Sequence, residues 1–209
     1  LALAIRVAVI AVTLLLWRRT RAARQVAFFG SALASAVTGA MAVAVLQASS
    51  SPAGWHGVLF VHRASGIVLG YSVDGLSAWF LLVLSMLAVP IALFSTGYIA
   101  HPPFDRRSAF IGVVFNVLLG AVEMVFAAGD VITFLCAWEF MTLATAALVS
   151  LFASIFAYRT ETQRLQLELL ATHDPLTGLH NRRAMEQELQ IAIEVHKRDS
   201  MSFGLVMLD

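Results

Sequence analysis

Long runs of apolar residues, each near the length of a membrane-spanning helix, constrain this chain more than any other feature. A helix needs about 20 predominantly apolar residues to cross the roughly 30 Å hydrocarbon core of a bilayer. We predict five spans: Leu1–Trp17, Ala27–Gln47, Leu76–Ala100, Ala109–Ala128 and Val131–Tyr158. Only 13% of the residues are charged, whereas a soluble domain carries about a quarter. The sequence therefore predicts a mainly α-helical, polytopic membrane bundle with the lipid bilayer as its first partner.

Basic residues orient these spans, because loops rich in Lys and Arg stay cytoplasmic. They cluster in the first and third connections and after the fifth span: Arg18, Arg19, Arg21, Arg24, Arg106, Arg107, Arg159 and Arg164. Strict alternation of the spans puts these three regions on one side of the membrane, so the carboxyl-terminal tail is expected to be cytoplasmic. The net charge of +1 reflects this anchoring and gives no case for a nucleic-acid partner.

The loop between the second and third spans contains two β-prone stretches, Trp55–His62 and Ile67–Val73. They predict an external β-hairpin, after which Asp74 can cap the third span. His56 and His62 lack further Cys, His or carboxylate ligands nearby, so we predict no metal site in this loop.

Two acidic residues, Glu123 and Glu139, lie inside the fourth and fifth spans. An ionisable group at membrane depth is costly unless it is neutral, paired or near water, and it marks a functional candidate. Counted from the external turn, Glu123 lies about 9 Å deep and Glu139 about 14 Å deep. The short turn predicts that the two spans pack antiparallel, and the two carboxyls are then proton-relay candidates if both face the bundle. A protonated Glu that hydrogen-bonds a neighbouring helix is the alternative.

Three motifs follow one another in a specific order: Asp74-Gly-Leu-Ser-Ala-Trp-Phe, Ser95-Thr-Gly-Tyr and Phe134-Leu-Cys-Ala-Trp-Glu-Phe-Met-Thr-Leu. Residues 1–149 thereby resemble the amino-terminal part of antiporter-like subunits of membrane-bound hydrogenases, complex I and Mrp-type cation/proton antiporters. The resemblance implies a bacterial inner-membrane location, partner subunits of an oxidoreductase or antiporter complex, and a proton-relay role for Glu139. Such subunits pair this glutamate with membrane lysines, whereas the one lysine here, Lys197, lies beyond the spans.

The tail begins with a polar helix over residues 158–172, where Tyr158, Leu165 and Leu169 have roughly heptad spacing. This spacing predicts either a short stalk that holds two copies together or an ordinary amphipathic linker. Pro175 ends the helix, Gly178 can take a positive φ, and Asn181 can cap the next helix. Residues 203–208 then form an apolar run suited to a buried strand.

The string from residue 174 to residue 183 resembles the opening of the GGDEF domain of diguanylate cyclases. The residues that carry the resemblance are Asp174, Leu176, Thr177, Gly178, Leu179, Asn181, Arg182 and Arg183. It implies an α/β domain that takes GTP and magnesium, with Asp209 as a magnesium ligand. The Gly-Gly-Asp/Glu-Glu-Phe loop does not occur in the sequence, so we expect an incomplete GGDEF-like fragment that needs no cofactor and is inactive as it stands.

The sequence thus predicts three regions: a transmembrane region over 1–157, a linker helix over 158–172 and a GGDEF-like start over 173–209. We expect a fusion, or a truncated sequence, that joins a piece of a proton-translocating antiporter-like subunit to the start of a diguanylate cyclase domain near Val149. A membrane-anchored diguanylate cyclase cut before its catalytic loop is one alternative, and a non-enzymatic membrane protein is the other. The resemblance implies a GGDEF-type diguanylate cyclase, whereas the catalytic loop and the membrane lysines of the antiporter-like part do not occur in the sequence.

Overall fold

The structure, a computed structural model, describes residues 1–48, 55–98, 105–199, 202 and 204. Within these residues the order of elements is α1 (Ala2–Leu15), α2 (Thr20–Gln47), β1 (Trp55–His62), β2 (Ile67–Val73), α3 (Gly75–Tyr98), α4 (Asp105–Phe126), α5 (Val131–Thr172) and α6 (Arg182–Asp199). The mainly helical class is confirmed. The chain divides into two compact units, Leu1–Phe152 and Ala153–Asp209. Apart from residue 204, the strand predicted over 203–208 lies outside the described residues.

Four of the predicted spans are confirmed as helices long and apolar enough to cross a membrane, namely those of α2, α3, α4 and α5. The first is shorter than predicted, because α1 has 14 residues and is about 21 Å long. It ends at Leu15, where the chain turns through backbone hydrogen bonds such as that from Arg19 N–H to the Leu16 carbonyl, 2.7 Å. The apolar run therefore continues past the end of the helix.

Helix α2 is the centre of the membrane unit, since it packs against α1, α3 and α4. Small residues permit this close approach, as is usual between membrane helices. A Cβ atom added at Gly112 of α4 would lie 2.6 Å from the Cβ of Ala27 on α2. A Cβ atom added at Gly39 of α2 would overlap the hydroxyl of Ser85 on α3. The glycines thus set the distances between the helices.

The predicted hairpin is confirmed with its predicted boundaries. Strands β1 and β2 pair antiparallel from Trp55↔Val73 to His62↔Ile67, with an irregularity between Val58 and Phe60. Gly66 in the connecting turn has a φ of 71°, a conformation that glycine adopts at little cost.

The turn between α4 and α5 holds the hairpin against the bundle. Ser72 N–H donates to the Ala127 carbonyl and Gly129 N–H to the Gly70 carbonyl, at 2.9 and 3.0 Å. The carboxylate of Asp130 accepts from Gly70 N–H at 2.8 Å. Hydrogen bonds from Thr133 and Gly70 lower the pKa of Asp130 below its usual value. The hairpin and the first residues of α5 therefore form one hydrogen-bonded network.

Helix caps account for the starts of α3 and α6, and both were predicted. The Asp74 carboxylate accepts from Ser77 N–H at 2.8 Å, and this bond lowers the pKa of Asp74. The Asn181 side-chain oxygen accepts from Ala184 N–H at 3.0 Å. Each cap satisfies a backbone donor that the helix itself leaves without a partner.

Helix α5 does not pack antiparallel on α4, and this part of the sequence prediction is wrong. Among the described elements, α5 makes no extensive contact with α1, α2, α3 or α4. Hydrogen bonds at its first residues hold it to the hairpin, as described above. A short connection therefore fixes only where α5 begins, and the direction of the helix beyond that point is free to diverge from α4.

Candidate functional site

A buried ion pair between Arg6 of α1 and Glu123 of α4 lies inside the membrane unit. The guanidinium donates twice to the carboxylate, from Nη2 to Oε1 at 2.7 Å and from Nε to Oε2 at 2.9 Å. Arg6 is 2% exposed and Glu123 is 4% exposed. A two-point bond of this kind fixes the orientation of both groups and is stronger than a bond between neutral partners.

The remaining donors of Arg6 also have acceptors. Nη2 donates to the Ser35 hydroxyl at 2.9 Å, while Nη1 lies 3.5 Å from both the Ser31 hydroxyl and the Asn116 side-chain oxygen. A guanidinium has five N–H groups, and each has an acceptor here. The buried cation is therefore saturated, which is the condition under which a charge is tolerated away from water.

Glu123 has a further partner in the Thr38 hydroxyl of α2, which donates to Oε1 at 2.5 Å. Asn116 is also anchored, because its amide nitrogen donates to the Ala27 carbonyl at 3.0 Å and to the Gly112 carbonyl at 2.9 Å. The amide therefore links α2 to α4 and presents its oxygen to Arg6. The site is a polar network drawn from three helices.

Helical periodicity explains why these side chains converge. Ser31, Ser35 and Thr38 are spaced at i, i+4 and i+7 on α2, and Asn116 and Glu123 are spaced at i and i+7 on α4. Residues at these spacings share one face of a helix. The polar face of α2 therefore meets the polar face of α4, and Arg6 lies between them.

Sequence reasoning identified Glu123 but missed its partner Arg6. The sequence contains a signal for Arg6, because an arginine within an apolar run is as unusual as a glutamate there. The second signal is the spacing of Ser31, Ser35 and Thr38 on α2. It places three hydroxyl groups on one face of the helix, and such a face packs against protein more favourably than against lipid.

Glu139, the other relay candidate, is not brought together with Glu123. Its side chain is exposed on α5, while its backbone carbonyl accepts from the Thr142 hydroxyl at 2.8 Å. The pairing partner of Glu123 is Arg6. The two glutamates therefore occupy different environments within the membrane unit.

In the second unit, the string that begins at Asp174 folds into a tight turn. The Asp174 carboxylate accepts from the backbone N–H groups of Leu176 and Thr177 at 3.0 and 2.9 Å, and from the Thr177 hydroxyl at 3.0 Å. Gly178 has the predicted positive φ, 70°. The backbone N–H of Asp174 donates to the Leu179 carbonyl at 2.8 Å, which closes the turn.

The other signature residues lie around this turn. Asn181 ties it to the preceding helix by donating from its side chain to the Ala171 carbonyl at 2.9 Å. Arg182 forms an ion pair with Glu186 at 2.8 Å, and Arg183 is exposed on α6. Leu176 and Leu179 are exposed, at 92% and 70%.

The stability of the turn is expected to depend on pH through Asp174. Hydrogen bonds from Thr177 and then Leu176 lower the pKa of this carboxyl below the unfolded value of about 3.9. A lowered folded pKa contributes stability that is present above about pH 4 and is lost as the pH falls through the folded pKa. We expect the amide resonance of Thr177 in the full chain to titrate with a midpoint below about 4.

Thr177→Val provides the matched control for this titration, because it removes the hydroxyl donor and keeps the backbone donor. The midpoint should move upward toward the unfolded value, and Asp174→Asn should abolish the transition. A midpoint at or above about 4 in the unaltered protein would contradict the hydrogen-bonded arrangement of Asp174.

The cyclase resemblance implies magnesium and GTP. The described residues contain no group of three or more His, Cys, Asp or Glu that could hold a metal. Asp209, the predicted magnesium ligand, lies outside them.

Comparison with known families supports both resemblances. Residues 62–110 match the family described as NADH-Ubiquinone oxidoreductase (complex I), chain 5 N-terminus, and residues 171–209 match the family described as Diguanylate cyclase, GGDEF domain. A search of curated proteins found no match. The chain is thus a membrane protein with an antiporter-like segment that covers β2, α3 and the first residues of α4, followed by a GGDEF-like segment.

Proposed function

We propose that the membrane unit is the amino-terminal part of a proton-translocating antiporter-like subunit of the hydrogenase or NADH-quinone oxidoreductase type, with Glu123 as a protonatable group. The buried Arg6–Glu123 pair carries this proposal. An intramembrane ion pair with hydroxyl partners is typical of proton pathways, and the match of residues 62–110 supports the class. Other subunits of a membrane-bound complex are the proposed partners.

Protonation of Glu123 would change the whole network. A carboxylate accepts hydrogen bonds only, whereas a protonated carboxyl donates one, so a proton on Glu123 competes directly with Arg6. The guanidinium would then be a buried charge without its counter-charge, which is costly. Protonation of Glu123 is therefore coupled to the position of Arg6. The Thr38 hydroxyl, which donates to Oε1 of Glu123, would accept a hydrogen bond from the protonated carboxyl.

Glu139 belongs to the same proposal in a different role. Its exposed side chain on α5 would face lipid unless another protein covers it, and an uncovered carboxylate in lipid is unfavourable. A neighbouring helix with a hydrogen-bonding or cationic group is the cover that this chemistry requires. We propose a bacterial inner-membrane location with the carboxyl-terminal tail in the cytoplasm, which the Arg-rich connections support.

Glu123→Gln is expected to lower proton uptake by about 100-fold, since a positioned proton-transfer group contributes at least this much. The substitution keeps the size of the side chain and removes the titratable group. Uptake would be followed with a pH-sensitive dye in proteoliposomes that contain the complete assembly. Glu139→Gln tests the second candidate in the same way.

Glu161→Gln is the matched control, because Glu161 is an exposed acid on the same helix as Glu139 but follows Arg159 beyond the apolar run. Its uptake should equal that of the unaltered protein. Unchanged uptake in Glu123→Gln would remove Glu123 from the proposal, and unchanged uptake in both glutamine variants would overturn it.

A second candidate function is membrane-anchored cyclic di-GMP signalling, and the match of residues 171–209 favours it. In this function the predicted stalk would hold two copies of the chain together. Tyr158, Leu165 and Leu169 are exposed at 49%, 52% and 58%, and an apolar stripe of this kind can pair two helices. The test is cyclic di-GMP production by the purified chain with GTP and magnesium. Absence of product would leave the antiporter-like proposal as it stands.

A further inference from the structure

A cavity of about 320 Å³ lies between the hairpin and the helices of the membrane unit. Trp55 and Tyr71 line it from the hairpin, residues 1–4 from the start of α1, Met41 and Thr38 from α2, and Glu123 from α4. Its walls are mainly apolar, and the Glu123 carboxylate and Thr38 hydroxyl supply polar groups. A mostly apolar pocket with a few fixed polar groups is the usual form of a small-molecule site.

The hydrogen-bond inventory of the ion pair limits what this cavity can hold. All five donors of Arg6 have acceptors, so the guanidinium has none to offer an anion. Glu123 accepts twice at Oε1, from Arg6 and Thr38, and once at Oε2, from Arg6. A carboxylate has about four acceptor positions. Among the described residues, one acceptor position therefore remains, on Oε2.

The charges at the cavity further limit which molecules can bind there. Glu123 is the one charged side chain among the described residues that line the cavity, and Arg6 balances its charge, so a cation or an anion in the apolar cavity would be uncompensated and costly. A neutral molecule avoids this cost. It needs one O–H group to donate to Glu123 and an apolar body to cover the walls. A cavity of about 150 Å³ already holds benzene, so this one has room for a ring with a short alkyl chain.

We propose that this cavity is a binding site for a small neutral amphiphile with one hydroxyl donor, an alkylphenol or an alcohol of similar size, whose hydroxyl binds Glu123. This inference goes beyond proton transfer and does not depend on it. The occupant covers the hairpin side of the ion pair, so that it competes with water for Oε2.

The test uses the full chain in lipid nanodiscs and two fluorinated probes, 4-(trifluoromethyl)phenol and (trifluoromethyl)benzene. Saturable binding is followed by fluorine NMR, which separates it from linear partitioning into lipid. The phenol is expected to bind saturably. The hydroxyl-free probe is expected to bind about tenfold more weakly, because it forms no hydrogen bond to the charged carboxylate.

Met41→Trp fills the cavity without altering the ion pair, and it should abolish saturable phenol binding. Met86→Trp is the matched control, since Met86 is 69% exposed on α3 and does not line the cavity. It should leave the affinity unchanged. Equal affinity for both probes, no saturable binding, or equal loss in both tryptophan variants would overturn the proposal. Each readout is a binding curve, so failure of the proton-uptake test would leave this result interpretable.

Discussion

Replacing Glu123 with alanine is expected to lower the free energy of unfolding of the membrane unit by about 3–5 kcal/mol, the cost of leaving a buried charge without its partner. Arg6 is 2% exposed and would lose two of its five hydrogen bonds. The surrounding hydroxyl and amide groups cannot replace the lost negative charge. The change would be measured by reversible denaturation of the full chain in mixed micelles, with helical circular dichroism as the signal.

Two variants separate the loss of the pair from the loss of a side chain. Arg6→Met combined with Glu123→Leu removes both charges, and it should recover most of the stability, because apolar replacement of a buried pair is often neutral. Glu139→Ala, at an exposed acid on α5, should change the stability by about 0.5 kcal/mol or less. Equal losses for Glu123→Ala and Glu139→Ala would contradict the structural distinction between these two acids.

Replacing Gly112 with alanine is expected to destabilise the membrane unit by about 1–3 kcal/mol, the usual cost of overpacking a tight contact. The added methyl group would lie 2.6 Å from the Cβ of Ala27 on α2. Neither group can rotate away, so α2 and α4 must separate. The separation would also strain the hydrogen bond from Asn116 to the Ala27 carbonyl, and through it the site around Arg6.

Gly120→Ala is the matched control, because it makes the same change on the same helix. Its added methyl group would lie 3.5 Å from Cδ of Arg6, an ordinary van der Waals contact. Helix propensity alone favours alanine over glycine by about 1 kcal/mol, so Gly120→Ala should be neutral or stabilising. Both variants would be compared by thermal unfolding, and a Gly112→Ala protein as stable as Gly120→Ala would show that α2 and α4 do not meet this closely.

Features that depend on near neighbours in the chain could be predicted from the sequence. The hairpin strands begin and end at the predicted residues, the caps at Asp74 and Asn181 form, and Gly178 takes its positive φ. Each of these depends on a turn residue or a cap within three or four positions of its target. Local rules were sufficient because the partners are adjacent in sequence.

Features that join distant parts of the chain could not be predicted in this way. The ion pair connects residues 117 positions apart, and no periodicity within α1 or α4 indicates which helix faces the other. A relay between Glu123 and Glu139 requires α5 to fold back along α4, and the short connection between the two helices does not ensure this. In the structure, Asp130 joins the start of α5 to the hairpin by hydrogen bonds, and Glu139 is exposed.

The sequence by itself determined that this is a membrane protein, with apolar helices, an intervening hairpin and a signature turn in its tail, because length, hydropathy and turn chemistry are local properties. Only the tertiary structure decided which of two intramembrane glutamates is paired. That choice depends on how α1, α2 and α4 pack, and their packing is set by glycine and alanine contacts between separate helices. Arg6 became the partner of Glu123 because that packing encloses both charges, and a buried charge is tolerated only beside its opposite.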